Sequence, residues 1–449
     1  MAFLSDSLAR PTEAAPSAVA LARRLNLFDA TMLVMGGIVG AGIFVNPAVV
    51  AQEVTTWETA LGAWAVGGLF ALAGAFIYAE LAARRPAVGG QYAYLREAFH
   101  PLAAFLYAWT LLLVSQSGGM AAVAMTFARY FRELTAIGAS DAAVALGALA
   151  ILTGVNCLGV RAGSNLQSAF MVLKIGAIAM LVGLGFVASP AAAPAMRPAA
   201  GAGAFGAALV PVLFAYGGWQ TAGFMAGELR SPRRDLPLGL LMGTSGVVAL
   251  YLLVNIVCLR VLGIGGLGQT RTPASDVMRL AIGDRGATLI AAGIAISTIG
   301  FLSQNLLTGP RVYFAMARDG VFFRAVAALH PRSRVPVTAI VVQGIAASLL
   351  VLTGSYERIL GYVVAIDWLF FGLTALALAV FRRRDRDGER PAFVVPGHPF
   401  TTLAFVAGSW LMVANAVFRS PSNTLAGIAL LAVGVPVYFV WRRRGGAVT

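Results

Sequence analysis

Twelve runs of predominantly apolar residues begin near Phe28, Trp57, Ala98, Asp141, Asn165, Gly203, Leu238, Ala287, Pro336, Glu357, Phe400 and Ser422, and they leave little choice of fold. About 20 such residues cross roughly 30 Å of hydrocarbon as a helix. Inside hydrocarbon every backbone amide and carbonyl needs a partner within its own segment, so the chain is expected to be an all-α integral membrane bundle of twelve transmembrane helices. Composition agrees, since only 12% of residues are charged, about half the share a soluble domain carries. The lipid bilayer is therefore the solvent. The formal charge of +14 does not imply nucleic acid, because the arginines sit at the ends of the runs and in loops, not in one basic stripe with aromatics between.

An even number of crossings puts both termini on one side. Short loops on that side carry 22 basic residues against 9 on the other, with Lys174 and Arg311 left inside runs. The positive-inside rule then predicts a multi-pass protein of the cell membrane with both termini cytoplasmic. The expected organisation is a cytoplasmic tail over 1–27, one transmembrane domain over 28–442 and a short cytoplasmic tail over 443–449. Cys157 and Cys258 both fall in apolar runs and read as buried free thiols rather than a disulfide framework.

The first run contains Gly36-Gly37-Ile38-Val39-Gly40-Ala41-Gly42-Ile43-Phe44 at what should be the middle of the membrane. Each of its four glycines weakens a helix by about 1 kcal/mol relative to alanine. Two readings stand: close helix packing across small residues, or an unwound stretch whose amides bind an anion at the start of the following half-helix. The sixth run is interrupted in the same manner, at Phe214-Ala215-Tyr216-Gly217-Gly218-Trp219-Gln220. Paired Gly-interrupted segments in two halves of a chain point to a binding site at the interface of inverted repeats. The expected repeats are about 28–188 and about 203–382, a 5+5 arrangement followed by two extra helices at about 400–442.

Val39-Gly40-Ala41-Gly42-Ile43-Phe44 and Phe214-Ala215-Tyr216-Gly217-Gly218-Trp219 resemble signatures of the amino acid, polyamine and organocation transporter superfamily, and within it the L-type amino acid transporter branch. Supporting segments are Gly89-Gly90-Gln91-Tyr92-Ala93-Tyr94, Glu228-Leu229-Arg230-Ser231-Pro232 and Gly309-Pro310-Arg311-Val312-Tyr313-Phe314-Ala315-Met316-Ala317. The resemblance covers roughly residues 23 to 442 and implies a LeuT-type fold and alternating-access carriage of neutral L-amino acids. It also implies that the amides of Gly40, Ala41 and Gly42 hold the substrate carboxylate while the carbonyls of Ile38, Phe214 and Ala215 take its ammonium group. Phe214 would gate the site, and Gly217 and Gln220 would line it. Where relatives more often carry Ser, this chain has Ala41, so that contact would be backbone only. Animal relatives that join an accessory glycoprotein through a disulfide do so in the loop after the third span. Here the segment from Glu133 to Asp141 has no cysteine, and no such partner is expected. The near absence of lysine beside abundant Arg, Ala and Gly points to a high-GC bacterial source.

Lys174 is the one lysine and lies deep in the fifth run, too deep for easy reach to the interface. A charge there costs roughly 2.5–3.5 kcal/mol on insertion scales and marks a functional hypothesis. By resemblance it replaces a sodium ion between the first and eighth helices, near Gly40 and Ser297 or Thr298, which implies sodium-independent transport. Asp367 in the tenth run departs from the family, whose residue there is usually neutral. It either pairs inside the bundle or meets a polar or cationic substrate, which opens a cationic or proton-coupled alternative, and Trp368 beside it is a further pocket candidate. Glu80 and Glu228 fall at cytoplasmic ends beside Arg84, Arg85 and Arg230, a setting for solvated or gate-forming ion pairs. His100, His330 and His398 form no ligand pattern, so no metal site or cofactor is expected, and no nucleophile constellation suggests an enzyme.

Overall fold

The computed structural model describes residues 21–191, 203–354, 356–386, 390–419 and 421–445. Most of the two expected tails, and Arg10 and Arg197 of the charge count, lie outside them. Among the described residues the regular structure is helical, apart from one backbone bridge pairing Leu25 with Leu229.

Helices α1 (Leu27–Ile38) and α2 (Gly42–Glu53) form one crossing bent by 42° at the residues between them. After α3 (Trp57–Arg84) and a short α4 (Gln91–Ala98), α5 (Pro101–Thr110) passes through a π-helical turn, Leu111–Ser115, into α6 (Gln116–Thr135). Then come α7 (Asp141–Leu158), α8 (Val160–Val187) and α9 (Ala204–Ala215), beyond which the chain tightens into a 3₁₀ segment, Trp219–Glu228. The remainder is α10 (Pro232–Gln269), α11 (Pro273–Ile282), α12 (Asp284–Thr308), α13 (Pro310–Arg318), a 3₁₀ turn at Arg324–Ala327, α14 (Val337–Thr353), α15 (Tyr356–Arg384), α16 (Phe400–Arg419) and α17 (Pro421–Gly445).

Among the described residues eight helical stretches are long and apolar enough to cross a membrane, α5 through α6 and α12 with α13 each counting as one, nine with the bent α1–α2 pair, and α14 is a shorter apolar helix. Among the elements not foreseen by hydropathy are α4, α11 and the 3₁₀ segment Trp219–Glu228. The first two are not apolar enough to register as runs, and the third is hidden because a 3₁₀ stretch is as apolar as the α-helix expected there. Boundaries follow from local chemistry. Asn26 and Asp29 form a reciprocal capping box at the start of α1, and Ser140 caps α7 through the Ala143 amide. Small residues set the closest packing, as where a Cβ on Gly239 of α10 would come within 2.8 Å of Ala30, and one on Gly243 within 2.7 Å of Val34.

Ionic links close the end of the bundle that carries Leu25 and Leu229. Glu80 of α3 is fully buried and accepts from Arg84 Nε at 2.9 Å, Arg382 Nε at 2.9 Å and the Val395 amide at 2.7 Å. Asp385 just beyond α15 takes Arg84 at 3.2 Å and Arg85 at 2.8 Å. Of the two readings open for these glutamates, the solvated one fails for both Glu80 and Glu228, which are buried, and Arg230 is not the partner of Glu228. The 3₁₀ segment turns Glu228 inward onto Arg311 of α13, both side chains having no exposure, while Arg230 stays exposed.

Candidate functional site

The two interrupted crossings lie against each other and together border a cavity of about 280 Å³. Ile38, Gly40, Ala41 and Gly42 form one wall, and Phe214, Ala215, Gly217 and Gln220 a second. Asp367 and Trp368 of α15 complete the set, so all ten residues expected to contact substrate line one space. Along α6 the cavity runs past Gly119, Ala122 and Thr126, away from the ion-paired end. Phe214 is half exposed within it, an open position for a large apolar side chain.

The four glycines of the first break divide between the two readings left open above. Gly36 and Gly37 are packing positions: a Cβ on Gly36 would overlap the Gln167 amide, and one on Gly37 would come within 2.5 Å of the Gly218 carbonyl oxygen. Gly40 and Gly42 have room, with nearest neighbours at 3.5 Å (Phe301) and 3.4 Å (Asn46). The chain between α1 and α2 leaves helical pairing after the Val39 amide bonds Met35, and α2 begins at Gly42 with no side-chain cap. Its first amides are therefore the unsatisfied donors that every helix start presents. On the other wall α9 stops at Ala215, Gly217 N–H donates to the Phe214 carbonyl at 3.1 Å, and Gly218 takes φ +110°. Gln220 accepts from the Gly218 amide at 3.1 Å, so its carboxamide oxygen braces the break from within the lining.

Lys174 is buried in α8, and its Nζ donates to the Val39 carbonyl at 2.6 Å. Ser297 Oγ donates to the Gly40 carbonyl at 3.1 Å. Both side chains thus hold the unwound stretch from behind rather than lining the cavity. Gly300 of α12 lies against the lysine, where a Cβ would come within 2.8 Å of its Cε. Thr298 is not brought to this junction by a hydrogen bond, since its hydroxyl bonds Ile294 and Ala295 of its own helix.

Asp367 accepts from Ser115 Oγ at 2.7 Å, and no cation pairs with it among the described residues. Ser115 ends the π-helical turn, a distortion often found at functional sites, and it escaped sequence reasoning because such a turn leaves no mark on hydropathy. Tyr107, Gln116, Phe301, Asn305 and Phe371 also line the cavity and were missed, as each lies in an apolar run with no local break beside it. Among the described residues no three His, Cys, Asp or Glu side chains gather as a metal site.

A cavity between two interrupted membrane crossings is the arrangement secondary transporters use to bind substrate at mid-depth. The chain belongs to the amino acid permease family, whose profile matches residues 25–438. It is similar to the b(0,+)-type amino acid transporter 1 of Oryctolagus cuniculus, with 30% identity covering 84% of this chain and 79% of the relative. It is also similar to the serine/threonine exchanger SteT of Bacillus subtilis (strain 168), at 29% over 94% and 98% of the two chains. The large neutral amino acids transporter small subunit 2 of Homo sapiens is 29% identical over 94% and 81%. The relatives are transporters and none is an enzyme, as expected of this chain.

Proposed function

We propose that the chain is a sodium-independent exchanger of neutral L-amino acids that works by alternating access, built from twelve crossings as 5+5 inverted repeats (28–188 and 203–382) plus a pair at 400–442. The observation that carries this reading is the meeting of an uncapped helix start and a helix end in one cavity of amino acid size. The start of α2 offers amides and positive dipole at Gly40, Ala41 and Gly42, and the end of α9 offers carbonyls and negative dipole at Phe214 and Ala215. Together with the Ile38 carbonyl, these suit the carboxylate and ammonium of an α-amino acid. The names of the relatives, an exchanger of serine and threonine and a transporter of large neutral amino acids, favour exchange and neutral substrates.

Lys174 supports sodium independence, because its amine already occupies the Val39 carbonyl beside the break. The cytoplasmic placement of both termini makes the ion-paired end the inner one and the cavity outward-facing. Neither cysteine lies between α6 and α7, which fits a carrier with no disulfide-linked accessory glycoprotein. A second reading, preference for cationic side chains or proton coupling, is favoured by one observation: Asp367 lines the cavity with Ser115 as its one hydrogen-bond partner among the described residues.

Counterflow in proteoliposomes decides between them. Labelled alanine should exchange with a panel of neutral amino acids equally well in sodium and in choline. Arginine dominating the competition would overturn the neutral reading, and a requirement for sodium would overturn the role given to Lys174. Two substitutions probe the site. Ala41→Ser should retain transport, because only the backbone contacts substrate, whereas Gly42→Phe should abolish binding measured by scintillation proximity by filling the cavity beside Ala215. Lys174→Ala leaves the Val39 carbonyl unpaired, a loss of about 1–3 kcal/mol, so exchange should fall about tenfold or more. Full-rate exchange by that variant would remove lysine from the mechanism.

A further inference from the structure

A second cavity, of about 450 Å³, lies between the end of α15 and the start of α16, well away from the substrate site. Leu376, Ala379 and Arg383 line it at spacings of three and four residues, one face of α15, and Arg386 continues the line just past the helix end. His398, Pro399, Thr402 and Leu403 form the other wall. The cleft is a wedge. It is shut where α15 and α16 touch, Gly372 lying so close to the Trp410 indole that a Cβ there would overlap it. Eleven residues of helix separate Gly372 from Arg383, about 16 Å, which is close to the hydrocarbon depth of one leaflet.

The arginines at this end of α15 do two different jobs. Arg382 also lines the cleft, but its guanidinium is committed to Glu80, and Arg384 donates to the carbonyls of Glu97 at 2.7 Å and Ala98 at 3.2 Å, so both tie α15 into the bundle. Arg383 and Arg386 are exposed and make no ion pair or hydrogen bond among the described residues, yet both line the cleft. Burial, followed by the nearby Arg382 guanidinium, lowers the His398 pKa below the ordinary imidazole range. The histidine Nδ1 is paired with the Thr402 hydroxyl at 3.0 Å. With Arg382 held by Glu80, the uncommitted cations of the cleft mouth among the described residues are Arg383 and Arg386. Beneath it the walls are apolar, and Leu403 and Phe400 are 56% and 78% exposed on the outer surface of the bundle.

A cationic mouth over an apolar wedge of leaflet depth is complementary to an amphiphile with an anionic head. We propose that this cleft binds an anionic phospholipid, its phosphate held by Arg383 and Arg386 and one acyl chain lying against Leu376, Ala379 and Leu403. A soluble phosphate ester would satisfy the arginines but leave the apolar walls unused. The site is independent of which amino acid the protein carries and of whether it exchanges or symports.

The test is native mass spectrometry of the purified full-length protein in detergent, titrated with phosphatidylglycerol or with phosphatidylcholine of the same chains. Phosphatidylglycerol should be retained preferentially, with one high-affinity adduct. Arg383→Ala with Arg386→Ala should weaken that adduct about thirtyfold, each cationic contact at a membrane surface contributing about fivefold. Arg383→Lys with Arg386→Lys should keep most of the preference. Leu403→Trp, which fills the wedge and leaves the charges in place, should lose it. Equal retention of both lipids, an adduct unchanged in the double alanine variant, or displacement by glycerol 3-phosphate as effective as by added lipid would each overturn the proposal. The lysine and tryptophan variants keep the test decisive if the double alanine protein fails to fold.

Discussion

Replacing Arg311 by leucine should destabilise the protein by about 3–5 kcal/mol, the cost of leaving a buried carboxylate without its cation. Arg311 and Glu228 have no solvent exposure, and the contact is bidentate, with Nε to Oε2 at 3.1 Å and Nη2 to Oε1 at 2.9 Å. The effect reaches beyond the pair, because the backbone of Glu228 is what the N-terminal segment docks on. Its carbonyl accepts from the amides of Arg24 at 2.9 Å and Leu25 at 3.0 Å, and Arg230 N–H donates back to the Leu25 carbonyl at 2.9 Å. A loss of this size is a large share of the 5–15 kcal/mol that keeps a typical domain folded. The variant should therefore show a markedly lower melting temperature in detergent, with the segment around Leu25 becoming accessible to protease first. Combining Arg311→Leu with Glu228→Gln removes the charge that was stranded and should recover much of the loss. If the single variant melted with the parent, the pair would contribute nothing to closing this end of the bundle.

The same junction shows what the sequence could and could not convey. Three segments singled out by resemblance, at Gly89 to Tyr94, Glu228 to Pro232 and Gly309 to Ala317, are distant in the chain and meet here. Gly89 packs against Ala315, where a Cβ would come within 3.1 Å, and Arg311 takes Glu228, while Gly90 and Tyr92 reach the neighbouring Gly223 backbone and Asp319. Their order along the chain was readable, but their convergence was not, since hydropathy describes each run against lipid and says nothing of which runs touch. Some helix starts were legible from the apolar runs: those expected at Trp57, Asp141 and Phe400 are observed, whereas those expected near Asn165 and Leu238 fall earlier, at Val160 and Pro232. Both breaks were legible because glycine is a local signal. The rest of the cavity wall was not, because Ser115 reaches Asp367 only through the extra residue of a π turn. For the glycines, sequence left packing and binding as rivals. The structure gives Gly36 and Gly37 to packing and leaves Gly40 and Gly42 open to the cavity.

Gly218→Ala should abolish exchange while Gly206→Ala leaves it unchanged, and the contrast separates a crossing point from an ordinary helical glycine. Gly218 carries φ +110°, a backbone region that costs an L-residue roughly 1–2 kcal/mol. The steric demand is harsher, because an added Cβ would overlap the Gly37 carbonyl oxygen, so the two interrupted crossings must move apart. Two hydrogen bonds are set by their present separation, since Gln304 Nε2 donates both to Thr221 Oγ1 at 2.9 Å and to the Leu33 carbonyl at 3.1 Å. Separating the crossings breaks this chain and displaces Gly40–Gly42 relative to Phe214–Ala215. A shift of an ångström between groups that must hold both ends of one small molecule removes most of the advantage of their preorganisation. Gly206 sits in α9 with open space where a methyl group would go, no atom lying within 4 Å of that position, and alanine there is the better helix former. The measurement is alanine counterflow, with monodisperse elution and melting temperature recorded for both variants. Normal exchange by a folded Gly218→Ala protein would mean that the two breaks need not touch for the site to form.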